Sequence, residues 1–209
     1  MRFLRLGLFR PSGGLVYHWL ALRSGPRWRP LVTALQNLLS EWQGSGDQLL
    51  LIGPSGGYTL PSAWLRGFRQ VHAFDVDPLA PWFFSLRHKG VQFHRQDMFW
   101  VDSKLSLVPL QNLLAAYPKA TVLICNILGQ LPLENEVTEP EFEAFLTGLR
   151  QALEGRRWAS YHDTYTHEPD GITVIDHMTS GSWTSGLETR TLQWPLRKNH
   201  VHDLQLVTQ

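Results

Sequence analysis

The sequence predicts an α/β fold in which a Rossmann-like, mostly parallel sheet carries helices on both faces. Two observations support this prediction: short apolar runs alternate with helix-length segments over residues 47–163, and a glycine-rich turn follows the first of these runs. Strands that alternate with helices are typical of βαβ crossovers, which cover both faces of a parallel sheet. We therefore expect one domain over residues 1–209, with an N-terminal helical cap at 1–46, a cofactor-binding core at 47–163 and edge strands at 164–209.

The first 46 residues predict the helical cap. Apolar residues recur at helical spacing over residues 30–42, which predicts an amphipathic helix. Residues 1–40 also hold six arginines and no acidic residue. A basic arm of this kind can bind RNA, but arginines interleaved with Leu, Phe and Trp are typical of an ordinary surface helix, which is the structure we expect here.

The core should contain five strands separated by four helices. Each predicted strand is a short apolar run bounded by turn residues. The last helix has the clearest start signal, with Thr138 as N-cap, Pro140 in the first turn and Glu141 three residues after the cap. The predicted strands are 48–52, 71–74, 91–94, 121–126 and 158–161, and the predicted helices are 60–68, 79–88, 105–117 and 141–154.

Beyond residue 163 the composition changes to Thr, Ser, Trp and His. Only short strand-like runs remain there, at residues 189–196 and 202–207. We expect these two runs to form an antiparallel hairpin added at the edge of the sheet.

Composition excludes several functional classes. The formal net charge of +1 argues against a polyanion binder, and no apolar run approaches the roughly 20 residues of a membrane span. Arg2, Arg5 and Arg10 interrupt the apolar run that a secretory signal needs. The one cysteine, Cys125, lies in an apolar run, so it should be a buried residue rather than a metal ligand or nucleophile. We expect a cytoplasmic protein with no metal and with neither membrane nor DNA as a partner.

The glycine-rich turn at residues 53–57 fits three chemistries. A phosphate-binding loop needs a Lys followed by Ser or Thr, but Tyr58 and Thr59 follow this turn. The turn also matches the G-x-S-x-G nucleophile elbow of serine hydrolases, with Ser55 as nucleophile, and Asp163 and His200 would complete the triad in the right order. Because the segment before the turn is largely helical and that fold needs several strands there, a serine hydrolase is the second choice.

The third chemistry is a site for an adenosine-bearing cofactor. Glycines let the backbone approach such a cofactor closely, and an acid about 20 residues further along binds the ribose hydroxyls. Asp75 lies 22 positions after Gly53, at the end of the second predicted strand. Asp75 and the glycine turn together therefore support a cofactor site more strongly than the turn does alone.

Residues 48–163 resemble the class I S-adenosylmethionine-dependent methyltransferases in motif order and spacing. Gly53 and Gly57 match the outer glycines of the G-x-G-x-G motif in that family, whereas Ser55 replaces the middle glycine. Many members carry an acid where this chain has Leu51. A nicotinamide enzyme of similar fold would need its last glycine at Tyr58, so the spacing favours S-adenosyl-L-methionine as the cofactor.

The resemblance implies a cofactor site at the ends of the first three strands. Asp75 would bind the ribose hydroxyls, and Asp97, after the third strand, would accept the adenine amino group. Asp77 is expected to cap the next helix instead. The predicted cofactor-binding residues are Gly53, Ser55, Gly56, Gly57, Asp75, Val76, Asp97 and Met98.

Two further residues are predicted to face the methyl acceptor. Methyl transfer is a direct displacement, so it needs alignment and a base only when the nucleophile carries a proton. Asn126 follows the fourth strand and could orient a substrate or cap the turn there. His162, at the end of the fifth strand, is the candidate base, although it could instead share hydrogen bonds with Asp163, Tyr165 and His167 in a polar loop.

The sequence thus predicts a methyltransferase whose acceptor is not identified. Outside residues 1–40 the chain holds 18 acidic residues against 13 basic ones, that is 19 minus the six arginines of that arm. A small-molecule acceptor is therefore favoured over RNA or protein. Two alternatives remain open: a non-catalytic methyltransferase-like binding module, which would account for Leu51, and a serine hydrolase using Ser55.

Overall fold

The computed structural model describes residues 14–42, 46–134, 137–167, 173–175, 181–197 and 200–209. Its helices are α1 Gly14–Arg23, α2 Gly25–Trp42, α3 Ser62–Leu65, α4 Ala80–Arg87, α5 Val108–Ala116, α6 Leu131–Glu134, α7 Glu139–Ala152 and α8 Gly181–Thr184. Its strands are β1 Gln48–Ile52, β2 Gln70–Asp75, β3 Val91–Arg95, β4 Trp100–Val101, β5 Lys104–Leu105, β6 Thr121–Cys125, β7 Trp158–His167, β8 Thr173–Ile175, β9 Glu188–Arg197 and β10 His200–Thr208.

Seven strands lie side by side in the order β3-β2-β1-β6-β7-β10-β9, and β8 pairs with β7. The five strands from β3 to β7 in this order are parallel, whereas β10 runs antiparallel to both of its neighbours. The predicted mostly parallel sheet and its antiparallel edge hairpin are therefore confirmed. Between β1 and β6 the strand order changes direction, and in open α/β sheets ligands bind at the carboxyl ends of the strands at this point.

Helices cover both faces of the sheet, as predicted. Strand β1 illustrates this arrangement: its four apolar residues are fully buried and point alternately to two hydrophobic cores, one on each face of the sheet. Leu49 and Leu51 pack against α2, and Leu50 and Ile52 pack against α5 and α7. None of the helices in the described residues is long and apolar enough to cross a membrane.

The helices differ from the predictions mainly at their ends. Helix α2 begins at Gly25 rather than at residue 30, and α1 precedes it in the cap. The helix predicted over residues 60–68 forms only at α3. At α7 the predicted start is confirmed, because Thr138 and Glu141 form a capping box. Three arginines of the basic arm, Arg2, Arg5 and Arg10, lie outside the described residues.

A short hairpin was not predicted. Strands β4 and β5 pair antiparallel around Asp102 and Ser103, both of which have positive φ angles of 49° and 64°. Two such residues form the tight turn that a two-residue hairpin requires. Because the hairpin uses Leu105, α5 starts later than the predicted residue 105, at Val108.

Strand β7 is longer than predicted, since it runs over Trp158–His167 rather than over residues 158–161. The sequence places His162, Asp163, Tyr165 and His167 in a polar loop, which is wrong, because all four lie in the strand. Strand β10 pairs with β7 from Ala159 to His167 and supplies the hydrogen-bond partners that hold this polar segment extended. Long-range pairing therefore overrides the local polarity of the chain.

Candidate functional site

A cavity opens at the carboxyl ends of the parallel strands, at the point where the strand order changes direction. Helix α1 contributes Gly14 and Tyr17 to one side of it, and Tyr161 and Trp194 come from β7 and β9. Six of the eight predicted cofactor-binding residues line the cavity, and they come from the ends of β1, β2 and β3: Gly53, Ser55, Asp75, Val76, Asp97 and Met98.

Asp75 links the glycine turn to the second strand. Its Oδ2 atom accepts the backbone N–H of Ser55 at 2.7 Å, and its Oδ1 atom accepts the backbone N–H of Asp77 at 2.9 Å. Burial raises the pKa of Asp75 to about 6. Each carboxylate oxygen can accept a second hydrogen bond. The side chain therefore holds the turn in place and still offers acceptor sites to a ligand in the cavity.

The first half of the glycine turn faces the cavity. Gly53 has a φ of +69°, and a Cβ atom there would come within 3.0 Å of the Ile127 Cβ atom, so the position requires glycine. Ser55 also has a positive φ, of 48°. Its hydroxyl is buried and has no hydrogen-bond partner among the described residues.

The second half of the turn serves packing instead. A Cβ atom on Gly56 would lie 2.6 Å from the Tyr58 ring, and one on Gly57 would lie 2.7 Å from the His88 ring. Neither glycine lines the cavity. The structure thus separates these two residues from the predicted cofactor contacts, because the chain has already turned towards α3 at this point.

Asp97 and Met98 follow β3 at the opposite end of the cavity. The Asp97 Oδ1 atom accepts the backbone N–H groups of Phe99 and Trp100, each at 3.0 Å. Burial raises the pKa of Asp97. Gln96, Met98 and Trp100 line the cavity beside it, so this end combines one carboxylate with an amide and two large apolar side chains.

Helix α1 is attached to the site through a buried histidine. The Nε2 atom of His18 lies 3.0 Å from Asp77 Oδ2, which also accepts the backbone N–H of Gly14 at 2.9 Å. Asp77 Oδ1 accepts the N–H of Leu79 in the turn before α4. The expected N-cap role of Asp77 is wrong, because α4 begins at Ala80 and its N-cap residue is Leu79. Burial alone would raise the pKa of Asp77, but these hydrogen bonds hold it below its ordinary value.

Asn126 lies where β6 ends, with a φ of +43°. Its Oδ1 atom accepts the backbone N–H of Asp163 at 3.0 Å, and its Nδ2 atom donates to Asp163 Oδ2 at 3.3 Å. The residue lines the cavity and also joins the ends of β6 and β7, so both predicted roles are compatible with its position. The other carboxylate oxygen of Asp163 lies 3.4 Å from His202 Nδ1. The sequence analysis missed His202, which comes from β10 and has no local motif.

His162 is not brought to the cavity. Neighbouring residues of a strand point to opposite faces, so Tyr161 lines the cavity while His162 is fully buried on the other side. Its Nδ1 atom lies 3.2 Å from the Ser160 hydroxyl. Burial lowers the pKa of His162 to about 4, so the ring is neutral at pH 7.

Similarity to solved structures supports the fold. No family model matches the chain, and no curated protein matches its sequence. N-methyltransferase NodS from Bradyrhizobium japonicum, solved in complex with S-adenosyl-L-homocysteine, matches 99% of this chain and 96% of its own with a TM-score of 0.56 and 15% identity. Magnesium protoporphyrin IX methyltransferase (ChlM) from Synechocystis, solved with bound SAM, matches 100% and 92% with a TM-score of 0.50 and 14% identity. This is the fold of the class I methyltransferases.

The charges of the cavity limit what this methyltransferase fold can bind here. Asp75, Asp77 and Asp97 line it, and no Lys, Arg or His is among the described residues that do so. A negatively charged cavity attracts cations and disfavours phosphate groups. Within the described part of the chain, no group of three or more His, Cys, Asp and Glu side chains could hold a metal ion.

Cys125 at the end of β6 is buried and unbridged. Burial raises the pKa of its thiol, which keeps the sulfur protonated and unreactive at neutral pH. The prediction of a buried apolar residue is confirmed.

Proposed function

We propose that this protein binds S-adenosyl-L-methionine and transfers its methyl group to a small molecule. The observation that carries the proposal is the position of Asp75, an acid at the end of β2 that faces the cavity beside the backbone of the glycine turn. Acids at this place in dinucleotide-type sites bind the ribose hydroxyls. The methyltransferase fold adds independent support.

Each part of the cofactor has a matching residue at the edge of the sheet. Asp75 would accept the ribose hydroxyls, and Asp97 would accept the adenine amino group between Met98 and Trp100. Gly53 would allow the methionine part to approach the backbone closely. When bound, the cofactor supplies a methyl group on a positively charged sulfur, and the protein's task is to align this group with the acceptor.

The charge of the cavity supports a sulfonium cofactor over a nicotinamide one. A nicotinamide dinucleotide carries a pyrophosphate, and no cationic side chain in the described lining would neutralise it. The positive sulfur of S-adenosyl-L-methionine gains from the same three carboxylates. The absence of cations in this lining also makes RNA a poor acceptor, because phosphate contacts dominate nucleic-acid affinity.

The acceptor would occupy the end of the cavity formed by Tyr17, Tyr161, Trp194 and Asn126. A small-molecule acceptor is supported by the name of ChlM, a magnesium protoporphyrin IX methyltransferase with a similar arrangement of strands. Asn126 has one N–H of its amide left after its bond to Asp163. This N–H could orient a polar atom of the acceptor.

Calorimetry of cofactor binding tests the proposal. We expect S-adenosyl-L-methionine and S-adenosyl-L-homocysteine to bind the wild type, and NAD not to bind. Asp75→Ala should weaken binding by about tenfold or more, because a hydrogen bond to a charged group is worth roughly 1.5–3 kcal/mol. Asp47→Ala is the matched control, since Asp47 is 77% exposed and lies outside the cavity lining. If the wild type does not bind S-adenosyl-L-methionine, or if Asp75→Ala binds it equally well, the proposal fails.

A non-catalytic binding module is the second candidate. Leu51 is fully buried in the apolar core, so no carboxylate stands where many methyltransferases place one. This candidate predicts binding without turnover across a panel of acceptors. A serine hydrolase has less support, because no histidine lines the described part of the cavity that holds Ser55. A fluorophosphonate probe should therefore leave Ser55 unlabelled.

A further inference from the structure

Helix α1 is apolar on all sides. His18 and Ala21 face inwards and are buried, but the opposite side is apolar too, with Leu15 exposed by 45% and both Trp19 and Leu22 by 55%. A surface helix normally carries polar residues on its outer side, and a helix that is apolar all round needs apolar partners on both sides. The outer side of α1 is therefore built to contact something apolar.

Helix α4 extends this surface. The His18 ring stacks on the Phe83 ring at 4.1 Å, which joins α1 to α4. Next to this contact, Trp82 is 61% exposed and Leu86 is 63% exposed. Together with residues of α1 and the loop before α4, they form what we call the apolar face, which holds seven of the ten large hydrophobic residues exposed in the described chain: Leu15, Val16, Trp19, Leu22, Val76, Trp82 and Leu86.

The apolar face borders the cavity. Val76 belongs to both, and Gly14 and Tyr17 of α1 line the cavity from the same helix that carries Trp19. Exposed apolar patches of this kind on a soluble fold mark sites for membranes, ligands or other proteins. A partner that covers this patch would therefore lie beside the mouth of the cavity.

Positive charges accompany the apolar face. The Arg23 guanidinium lies 4.2 Å from the centre of the Trp19 ring, and Arg27 and Arg29 follow as exposed residues at the start of α2. No acidic residue occurs before position 41 in the sequence. In α1 and the first turns of α2, Trp and Leu stand beside arginines and no acidic residue is present, a composition that suits the interface of an anionic membrane. The acids near the apolar face are Asp75 and Asp77, on either side of Val76, and they line the cavity.

We propose that the apolar face docks on the surface of an anionic phospholipid bilayer. Trp19, Leu22 and Trp82 enter the interfacial region, and the neighbouring arginines contact the lipid headgroups. The mouth of the cavity then faces the lipid, from which an apolar acceptor could enter. Such docking needs no membrane-spanning helix, and it does not depend on the proposed methyl transfer.

Co-sedimentation of the full chain with vesicles tests this docking. We expect binding to vesicles of 70% phosphatidylcholine and 30% phosphatidylglycerol, and much weaker binding to phosphatidylcholine alone. The double variant Trp19→Ser/Trp82→Ser should bind the anionic vesicles at least about tenfold more weakly. Val108→Ser is the control, since Val108 is exposed but lies on α5, and it should bind like the wild type.

A second set of variants tests the charges. Replacing Arg23, Arg27 and Arg29 with Gln should remove the preference for anionic vesicles, because each arginine near such a surface contributes roughly fivefold to binding. The matched control replaces three exposed arginines elsewhere: Arg66, Arg69 and Arg95. This control should keep most of the preference.

Three results would overturn the docking proposal. The first is no binding of the protein to either kind of vesicle, and the second is equal binding to both. The third is a wild-type dimer that binds no vesicles and dissociates in the Trp19→Ser variant, because a second copy of the chain would then cover the apolar face. Calorimetry with S-adenosyl-L-homocysteine is run on every variant. A protein that binds vesicles but no cofactor leaves the docking intact and contradicts only the proposed function.

Discussion

Asn126 and Asp163 are joined by two hydrogen bonds that run in opposite directions. The Asn126 amide oxygen accepts the Asp163 backbone N–H at 3.0 Å, and the amide nitrogen donates to the Asp163 carboxylate at 3.3 Å. The pair connects the carboxyl ends of β6 and β7 at the cavity wall. The two bonds also fix the orientation of the Asn126 amide group. They thereby determine which of its atoms can contact a ligand in the cavity.

The pair predicts energetic coupling between the two side chains. Asp163→Ala should lower the free energy of unfolding by about 1–3 kcal/mol, because it leaves the Asn126 amide nitrogen without this partner. Asn126→Gly removes the amide but keeps the positive φ accessible. A double-mutant cycle in urea denaturation should give a coupling of about 0.5–3 kcal/mol. Strictly additive effects would show that the hydrogen bond between the two side chains contributes nothing to stability, since the bond from the Asp163 backbone N–H remains in Asp163→Ala.

The raised pKa of Asp75 predicts a pH dependence of cofactor binding. Only the ionised carboxylate offers all its oxygens as acceptors, and burial brings its pKa to about 6. Affinity for S-adenosyl-L-homocysteine should therefore be constant above about pH 7 and should fall as the pH drops through 6. Calorimetry between pH 5 and pH 8 measures this change. Asp75→Asn should show weaker binding and a smaller fall over the same range, where Asp97 still titrates because burial raises its pKa too. A wild-type profile without the fall would contradict the assignment.

The buried His162 predicts a pH dependence of stability. Its pKa in the folded protein is about 4, below the ordinary value of 6.5, so the unfolded chain takes up a proton that the folded protein does not. The stability that the neutral His162 provides is therefore fully present above about pH 6.5. As the pH falls to 4, the free energy of unfolding decreases by about 3 kcal/mol in total. Urea denaturation at pH 7.5 and pH 5 should show about 2 kcal/mol of this loss.

His162→Leu is the control for this loss, because leucine stays neutral at every pH. The variant should lose less stability than the wild type between pH 7.5 and pH 5. Burial also lowers the pKa values of His72 and His88, so part of the loss will persist in the variant. Equal losses in both proteins would mean that His162 does not titrate as its burial implies.

Two glycines with similar φ angles allow the cost of backbone strain to be distinguished from the cost of steric contact. Gly57 and Gly90 have φ angles of +68° and +80°, but a Cβ atom on Gly57 would lie 2.7 Å from the His88 ring while one on Gly90 would meet nothing within 4 Å. Both Ala variants bear a strain of roughly 1–2 kcal/mol. The free energy of unfolding, measured by urea denaturation, should be lower for Gly57→Ala than for Gly90→Ala by at least about 1 kcal/mol. Equal stabilities would show that the His88 ring moves away freely.

Local signals in the sequence were enough for part of the fold and the site. The prediction of β1 matches residue for residue, because an apolar run ends at a glycine turn, and the start of α7 follows from its capping box. The spacing to Gly53 predicts Asp75, the resemblance to the methyltransferases predicts Asp97, and both residues line the cavity. For β1 and α7 the information lies within a few residues of the feature.

The remaining features depend on residues far apart in the chain. The polar half of β7 becomes a strand only because β10 pairs with it, and the same pairing places His202 beside Asp163. The contact of His18 with Asp77 likewise joins the cap to the second strand. No local pattern marks such partners. The sequence therefore does not reveal that strand alternation turns His162, the candidate base, away from the cavity.

The position of β10 between β7 and β9 also sets an order for folding. In the described chain β9 pairs only with β10, so β9 cannot join the sheet until the strand made after it has inserted. Until β10 inserts, the edge of β7 that β10 covers stays unpaired. Open edges of this kind invite pairing with other chains. Strand β10 thus covers the open edge of β7 and removes the risk of aggregation there.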